Sequence, residues 1–506
     1  MTALIDARTL APDTLLETDL AIIGGGPAGI SLALSLAGSK IRVLLLESGG
    51  MNFDPTIQKM YSGTETGTRY APLDAGRLRQ LGGGTNHWGG WCRPMDAIEF
   101  EARDWVPHSG WPFSRKTLEP YYPRAQALVE AGPWIYDQNG DADNAAEGTV
   151  LPLNGGGLYT SWFQFSKMRG DILPTQFGNR YRDDLKRAPN IKPLLHANVT
   201  AIRLGANGKQ VERLDVATLN SHGGTGKHFT VKPRMVVLAC GGIENARLLL
   251  ASNDVIKTGI GNQNDLVGRF FADNPIPRDV ATVVSFSGPL APFYGANQNL
   301  ADGTIMRATF APTAKFCRAA RVGSSLSTIE SPVELDETGK AAVITTAIAL
   351  GVDASNAKAY SLGCGMELMP DPDRRLTLSG EKDALGLPRL KLDMRIADDD
   401  FARFNRTMTE LGRQLLVSKA GMLRISCHTR NDWMTRMDWG HHHLGTTRMS
   451  ADPKQGVVDA DLLVHGMGNL YIAGSGTFPS YSASNPTLNL VALTLRLGDH
   501  LKKVMA

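Results

Sequence analysis

Apolar residues in this chain gather in short continuous runs set off by glycine-rich segments. Asp19–Ile23 (DLAII) is followed at once by GGGPAG and then by SLALSLAG, where Leu32, Leu34 and Leu36 are interleaved with small residues. IRVLLLE, ending at Glu47, comes next and has the unbroken apolar character of a parallel strand covered on both faces. Strand, glycine loop, helix and strand predict a βαβ unit. A second strand–helix element is predicted at Arg234–Cys240 (RMVVLAC) running into GGIENARLLLAS. A third lies at Asn469–Ala473 (NLYIA), before GSGTFPS and a terminal helix from about Pro486. Such spacing implies a discontinuous nucleotide lobe with a second lobe inserted into it. Between about 275 and 435, segments such as KAAVITTAIAL and RLTLSG alternate with the turn signals PDPD and GLP. They predict a mostly antiparallel sheet with attached helices, forming the walls of a substrate cavity.

A length of 506 residues supports the two-lobe expectation, and 42% hydrophobic with 20% charged residues is a globular balance. Net charge is only +3, without basic or acidic blocks, so neither nucleic acid nor a membrane surface is an expected partner. Cys92, Cys240, Cys317, Cys364 and Cys427 are scattered without a C-x-x-C pair, which argues for reduced thiols rather than zinc or a redox dithiol. Met1–Thr18 lacks the apolar run of a signal peptide, and no apolar stretch approaches membrane-spanning length. A cytoplasmic location is the expectation.

Gly24-x-Gly26-x-x-Gly29 has dinucleotide-binding spacing. The first glycine makes the tight turn, the second admits a pyrophosphate, and the third lets helix and strand approach. Phosphates then meet the unpaired N–H groups of the helix N-terminus. Glu47 follows Gly29 by 18 residues and can accept both ribose hydroxyls of an adenosine. The loop by itself does not choose between NAD and FAD.

Three further stretches do. RLRQLGGGTNHWGG (Arg77–Gly90), LVGRFFADNP (Leu266–Pro275) and the C-terminal HHHLGTTRM … NLYIAGSGTFPSYSASNPTLN resemble the glucose–methanol–choline (GMC) oxidoreductases. TNHW and H-x-x-G-T-x-R-M are similar to signatures of its sugar-oxidising branch, the pyranose oxidases and glycoside 3-oxidases. The resemblance implies an α/β GMC fold: a discontinuous Rossmann-like FAD lobe (15–110, 190–275 and 440–506) and a substrate lobe (111–189 and 276–439) with a mainly antiparallel six-stranded sheet. It implies that Gly82, Gly83, Gly84 and Thr85 line the pyrophosphate and flavin, and that Gly474 and Ser475 close over the ribityl end. Val199 and Thr487 complete the expected cofactor contacts.

His442 opens the H-x-x-G-T pattern and resembles the family's catalytic histidine, while Asn485, opening N-P-T-L, resembles its partner. An alcohol C–H leaves as hydride to flavin N5 only as the hydroxyl proton is removed, a task suited to a neutral imidazole. Asn485 would donate to the developing alkoxide, and Pro486 suits the first turn of a helix aimed at the flavin. His441 and His443 are read as structural. Consecutive residues of an extended segment face opposite ways, so only these two could share a face, and no further metal ligand is visible. His87 aligns with a histidine that some relatives bond covalently to FAD and others merely pack beside it. Gly89-Gly90 departs from the pyranose-oxidase pattern, where a hydroxyl residue is expected near N5. Glu367 and Arg93 are polar candidates for substrate contact.

The expected reaction is oxidation of a sugar or glycoside secondary alcohol at pyranose C2 or C3. Oxygen, a quinone or a redox protein would then accept the electrons. A non-sugar alcohol or a flavin-containing lyase without net redox are the alternatives. An NAD-linked reductase is disfavoured by the absence of a second G-x-G-x-x-G.

Overall fold

The computed structural model describes residues 4–136, 148–153, 156–169, 174–220 and 223–506. The predicted βαβ unit is present as Leu15–Ile23, Pro27–Ser35 and Val43–Leu46. These strands lie at the centre of an eight-stranded sheet. Val43–Leu46 pairs parallel with Ile191–Leu195, and Leu15–Ile23 pairs parallel with the long Thr225–Leu238 strand. Leu470–Ile472 joins the C-terminal part of that long strand in parallel, so all three predicted strand–turn elements end on one edge of one sheet. Val211–Leu219 and Asn198–Leu204 extend it antiparallel.

Glycine permits this convergence at two points. Gly24 has φ of 109°, and a Cβ there would press on the Ala239 carbonyl of the neighbouring strand. A Cβ on Gly29 would overlap the Gly24 carbonyl, so the helix can sit this close to the strand only with glycine. The terminal helix, Thr487–Val504, packs on the Pro27–Ser35 helix at Gly498, where a Cβ would meet the side chains of Ser35 and Leu32 rather than backbone.

The second sheet is antiparallel throughout. Six strands of five or more residues follow the order Gly421–Ile425, Ala281–Ser285, Lys358–Met366, Ser325–Val333, Ile305–Pro312 and Leu158–Phe165. Two two-residue strands, Gln298–Asn299 and Trp91–Cys92, raise the described total to eight, correcting the expected six. Trp91–Cys92 directly follows the TNHWGG stretch, so the 15–110 segment feeds both sheets.

Two elements expected in this sheet lie elsewhere. KAAVITTAIAL belongs to a helix, Glu337–Leu350. Its alternating β-branched residues suggested a strand. Asp336 caps the first turn by accepting from the Gly339 N–H, Gly351 ends the helix at φ of 64°, and Ile344 and Ile348 stand 60% and 76% exposed. RLTLSG is a strand, Arg375–Lys382, but of a third, three-stranded sheet with Pro388–Met394 and Thr64–Gly67.

Because backbone rather than side chain opposes a larger residue at position 29, Gly29→Ala is expected to cost about 1–3 kcal/mol. Calorimetry should show a lower unfolding midpoint.

Candidate active site

The LVGRFFADNP stretch lies against the HHHLG stretch as an irregular antiparallel ribbon. Ala272 and Leu444 exchange main-chain hydrogen bonds of 3.1 and 3.0 Å, and Gly440 N–H donates to the Asn274 carbonyl at 2.9 Å. At His441 the backbone turns left-handed, with φ of 55°. The pairing breaks there, and His442 N–H donates to Asp273 Oδ1 at 2.7 Å instead.

His442 is thereby set with Nδ1 2.7 Å from Asn274 Oδ1 and Nε2 3.1 Å from Asn485 Nδ2. Asn274 decides the tautomer. Its Nδ2 donates to two main-chain carbonyls, Met366 at 2.9 Å and Ser482 at 2.7 Å, so its Oδ1 faces His442 as an acceptor. His442 Nδ1 therefore carries the proton, and Nε2 presents a lone pair toward Asn485. Burial lowers the His442 pKa below the ordinary 6.5; Asp273 opposes this shift and His441 adds to it. The ring is a neutral base at neutral pH.

Asn485 ends a loop that precedes the Thr487–Val504 helix. Ser482 Oγ donates to Glu99 at 2.7 Å, Ala483 N–H to Ser324 Oγ at 3.2 Å, and Arg93 Nη1 to Ser484 Oγ at 2.8 Å. Arg93 thus supports the Asn485 loop from beneath rather than facing substrate. Glu367, the other polar candidate, is fully buried in a two-bond ion pair with Arg103 at 2.9 and 2.6 Å. Both expectations of substrate contact are corrected.

His442 and Asn485 stand between two cavities. The larger, about 550 Å³, is lined by Gly24, Gly26, Glu47, Gly83, Gly84, Thr85, His87, Val199, Gly474, Ser475 and Thr487. Of the expected cofactor residues, Gly29 and Gly82 stay out of this lining: Gly29 acts through packing, and Gly82, at φ of 97°, turns the chain against the Gly178 main chain. A Cβ built on Gly26, Gly84, Gly241 or Gly474 would meet nothing within 4 Å, so bare backbone faces the space from four separate loops. A phosphate-bearing dinucleotide fits such a cradle. Glu47 accepts from Gly25 N–H and Gly49 N–H, each at 2.7 Å, which fixes its carboxylate at the mouth of the glycine loop.

This cavity also holds a charged cluster that composition did not reveal. Arg77, Arg79 and Arg247 surround Glu244 at 2.9, 3.4 and 3.3 Å. Burial would raise the Glu244 carboxyl, but Arg247, Arg77 and Arg79 hold it at about 2. Cys240 also lines the cavity, where burial pushes its thiol up to about 12 and leaves it unreactive.

The smaller cavity, about 320 Å³, opens on the antiparallel sheet and is walled by Trp91, Asn274, Arg278, Arg307 and Glu330 together with His442 and Asn485. None of the first five was expected there as a substrate or catalytic group. Asn274 lay within the LVGRFFADNP motif; the others carry no sequence signature.

His441 and His443 are closer to a ligand cluster than expected. Asp273 joins them, with potential ligand atoms all within 4.8 Å, because the left-handed turn brings the two histidines toward the paired strand. Asp273 already accepts from His442 N–H, Asn274 N–H and the Tyr70 hydroxyl, the last at 2.6 Å, which a metal would have to displace. His87 lines the larger cavity, and burial, then His441, lowers its pKa.

The chain is similar in sequence and fold to known oxidoreductases. Residues 370–494 match the GMC oxidoreductase family model. The fructose dehydrogenase large subunit of Gluconobacter japonicus is 25% identical, covering 96% of this chain and 97% of its own. 2-Methyl-1,2-propanediol dehydrogenase of Mycolicibacterium austroafricanum is 24% identical, covering 96% and 95%. Pyridoxine 4-oxidase from Mesorbium loti shares the fold at a TM-score of 0.58 and 19% identity, covering 96% and 99%.

Asn274→Asp would place a carboxylate against His442 Nδ1 and favour the imidazolium. An NMR titration should find the ring of the unsubstituted protein titrating below 6.5 and that of the variant at least about one pKa unit higher.

Proposed function

We propose that this chain, an FAD-dependent oxidoreductase of the GMC family, oxidises a secondary alcohol of a sugar or glycoside to the ketone, at pyranose C2 or C3. The observation that carries the reading is the unprotonated Nε2 of His442 facing Asn485 Nδ2 at the junction of the two cavities. The sugar assignment is supported by the TNHW and H-x-x-G-T-x-R-M motifs and by the likeness to a fructose dehydrogenase.

A carbinol entering from the smaller cavity replaces the His442–Asn485 hydrogen bond with two of its own. Its hydroxyl donates to Nε2 and accepts from Asn485 Nδ2. As the C–H bond breaks, His442 takes the hydroxyl proton, and Asn274 Oδ1 steadies the resulting imidazolium through Nδ1–H. Asn485 holds the oxygen while its negative charge develops. Bound along the glycine loops at Gly26, Gly84, Gly241 and Gly474, FAD would supply the two-electron acceptor for the hydride. The Thr487–Val504 helix begins at the same cavity, and its positive end suits the negative charge of a reduced ring. In this reading residues 15–110, 190–275 and 440–506 form the cofactor lobe, and 111–189 with 276–439 form the substrate lobe. Oxygen, a quinone or a redox protein would accept the electrons from a bound FAD.

A second reading, oxidation of a non-sugar alcohol, is favoured by the likeness to 2-methyl-1,2-propanediol dehydrogenase. Both readings keep the same base and the same partner.

Anaerobic mixing with monosaccharides, glycosides and simple alcohols separates them. Bleaching of the flavin band by sugars is expected, and bleaching by simple alcohols alone would overturn the sugar assignment. His442→Ala should retain FAD yet reduce it about 10²–10⁴-fold more slowly; bleaching at the unsubstituted rate would remove His442 as the base. Acid precipitation tests His87: flavin that stays with the protein, but is released from His87→Ala, marks a covalent bond.

A further inference from the structure

We propose that the substrate of this site carries a carboxylate, which Arg307 holds while His442 and Asn485 take the alcohol. The proposal rests on the oxidoreductase reading above and specifies the chemical class of its substrate.

Arg307 lies on the Ile305–Pro312 strand, opposite Phe163 of its neighbour, and lines the smaller cavity with His442 and Asn485. Its guanidinium carbon stands 5.5 Å from the centre of the Trp91 ring, which borders both cavities. Nη2 donates to the Ile329 carbonyl, whereas Nε is buried without a partner. The nearest carboxylate does not neutralise it by contact. Glu330 accepts from Arg278 Nη1 at 3.0 Å and from Asp279 N–H at 3.1 Å. Among the described residues, no ion pair reaches Arg307.

A half-buried cation whose local carboxylate is engaged elsewhere is costly unless something else pairs with it. Burial lowers the Arg307 pKa, Glu330 opposes this and Arg278 adds to it, in line with a charge that is under-compensated. Arg278 is already paired with Glu330 and Asp438, at 3.0 and 3.4 Å, which leaves Arg307 as the cation of this wall, among the described residues, without an ion-pair partner. The guanidinium fork offers such a group two parallel N–H donors, and the Trp91 ring beside it helps to fix its plane. The cavity holds about 320 Å³, enough for a small hydroxy acid or a sugar acid but not a polymer chain.

The test uses FAD-loaded enzyme and substrate pairs that differ only in CH₂OH against COO⁻: methyl glucoside with methyl glucuronide, and 1,2-propanediol with lactate. In anaerobic flavin reduction, the acid of at least one pair should exceed its neutral partner by about tenfold or more in kcat/KM. Arg307→Gln should lower the acid by about 30-fold or more while changing the neutral partner less than about threefold. Arg307→Lys, which keeps the charge but not the fork, should fall between. Neutral sugars bleaching as well as their acids, or a variant that slows both equally, would overturn the proposal and leave the sugar reading intact. Lactate bleaching without either glucoside would uphold the carboxylate and overturn the sugar. Should no compound bleach the flavin, glucuronate titrated into oxidised enzyme must perturb the flavin spectrum, and do so more weakly in Arg307→Gln; equal or absent perturbation overturns it. An unchanged resting spectrum and melting midpoint establish that the variant is folded.

Discussion

Asn274 has two side-chain N–H groups, and both are held by main-chain carbonyls, of Met366 and Ser482. Its remaining oxygen can therefore meet His442 only as an acceptor, and from that constraint the rest of the site follows. The proton sits on Nδ1, the lone pair on Nε2, and the lone pair points at Asn485. The same amide ties the Asn485 loop to the His442 strand, because Ser482 lies three residues before Asn485. One side chain thus sets both the protonation state of His442 and the position of Asn485. A side chain lacking either the oxygen or the two donors would lose one of these functions.

The cradle proposed for the cofactor rests on a different constraint, the removal of side chains. The glycine turns at Gly24, Gly84, Gly241 and Gly474 come from segments far apart in sequence, and they meet because the parallel strands before three of them end at one sheet edge. Main-chain N–H groups then replace positive side chains along the path of the phosphates. Around Arg77, Arg79 and Arg247, charge returns to the cavity lining but is balanced against Glu244 and Asp383. The cavity consequently offers directional donors without a large net field.

Elements whose determinants are contiguous were legible in the sequence. The glycine loop, the strand before it, Glu47 and the terminal helix each depend on neighbours within a few residues, and His442 and Asn485 each open a recognisable local pattern. Asn274 was visible as part of a motif but not as a functional group, since its role arises from a contact across 168 positions. Arg307 and Trp91 have no local signature at all; only the pairing of both their strands with Leu158–Phe165 brings them to one cavity. KAAVITTAIAL shows the converse failure. Its β-branched residues favour a strand, yet the Asp336 cap and Gly351 stop outweigh that local preference.

In the reaction proposed for this site, the placement of Asp273 explains why His442 has a neutral partner. A carboxylate on Nδ1 would stabilise the imidazolium and leave Nε2 protonated over more of the pH range, as the attraction between opposite charges at contact requires. Here the carboxylate one residue earlier is directed to the His442 main-chain N–H, and Asn274 takes the ring. The Tyr70 hydroxyl caps the other oxygen; burial, then Asp273 itself, raises the Tyr70 pKa well above the ordinary 10, so it remains a donor. Asp273 consequently fixes the backbone of the base and acts on the ring only at longer range, where its charge limits the lowering that burial imposes. Burial keeps His442 unprotonated before reaction. The distant carboxylate and the Asn274 oxygen then favour the imidazolium once the proton has arrived. Separating these two requirements between adjacent residues would let one imidazole serve the proposed reaction as a free base at rest and a stabilised acid after transfer.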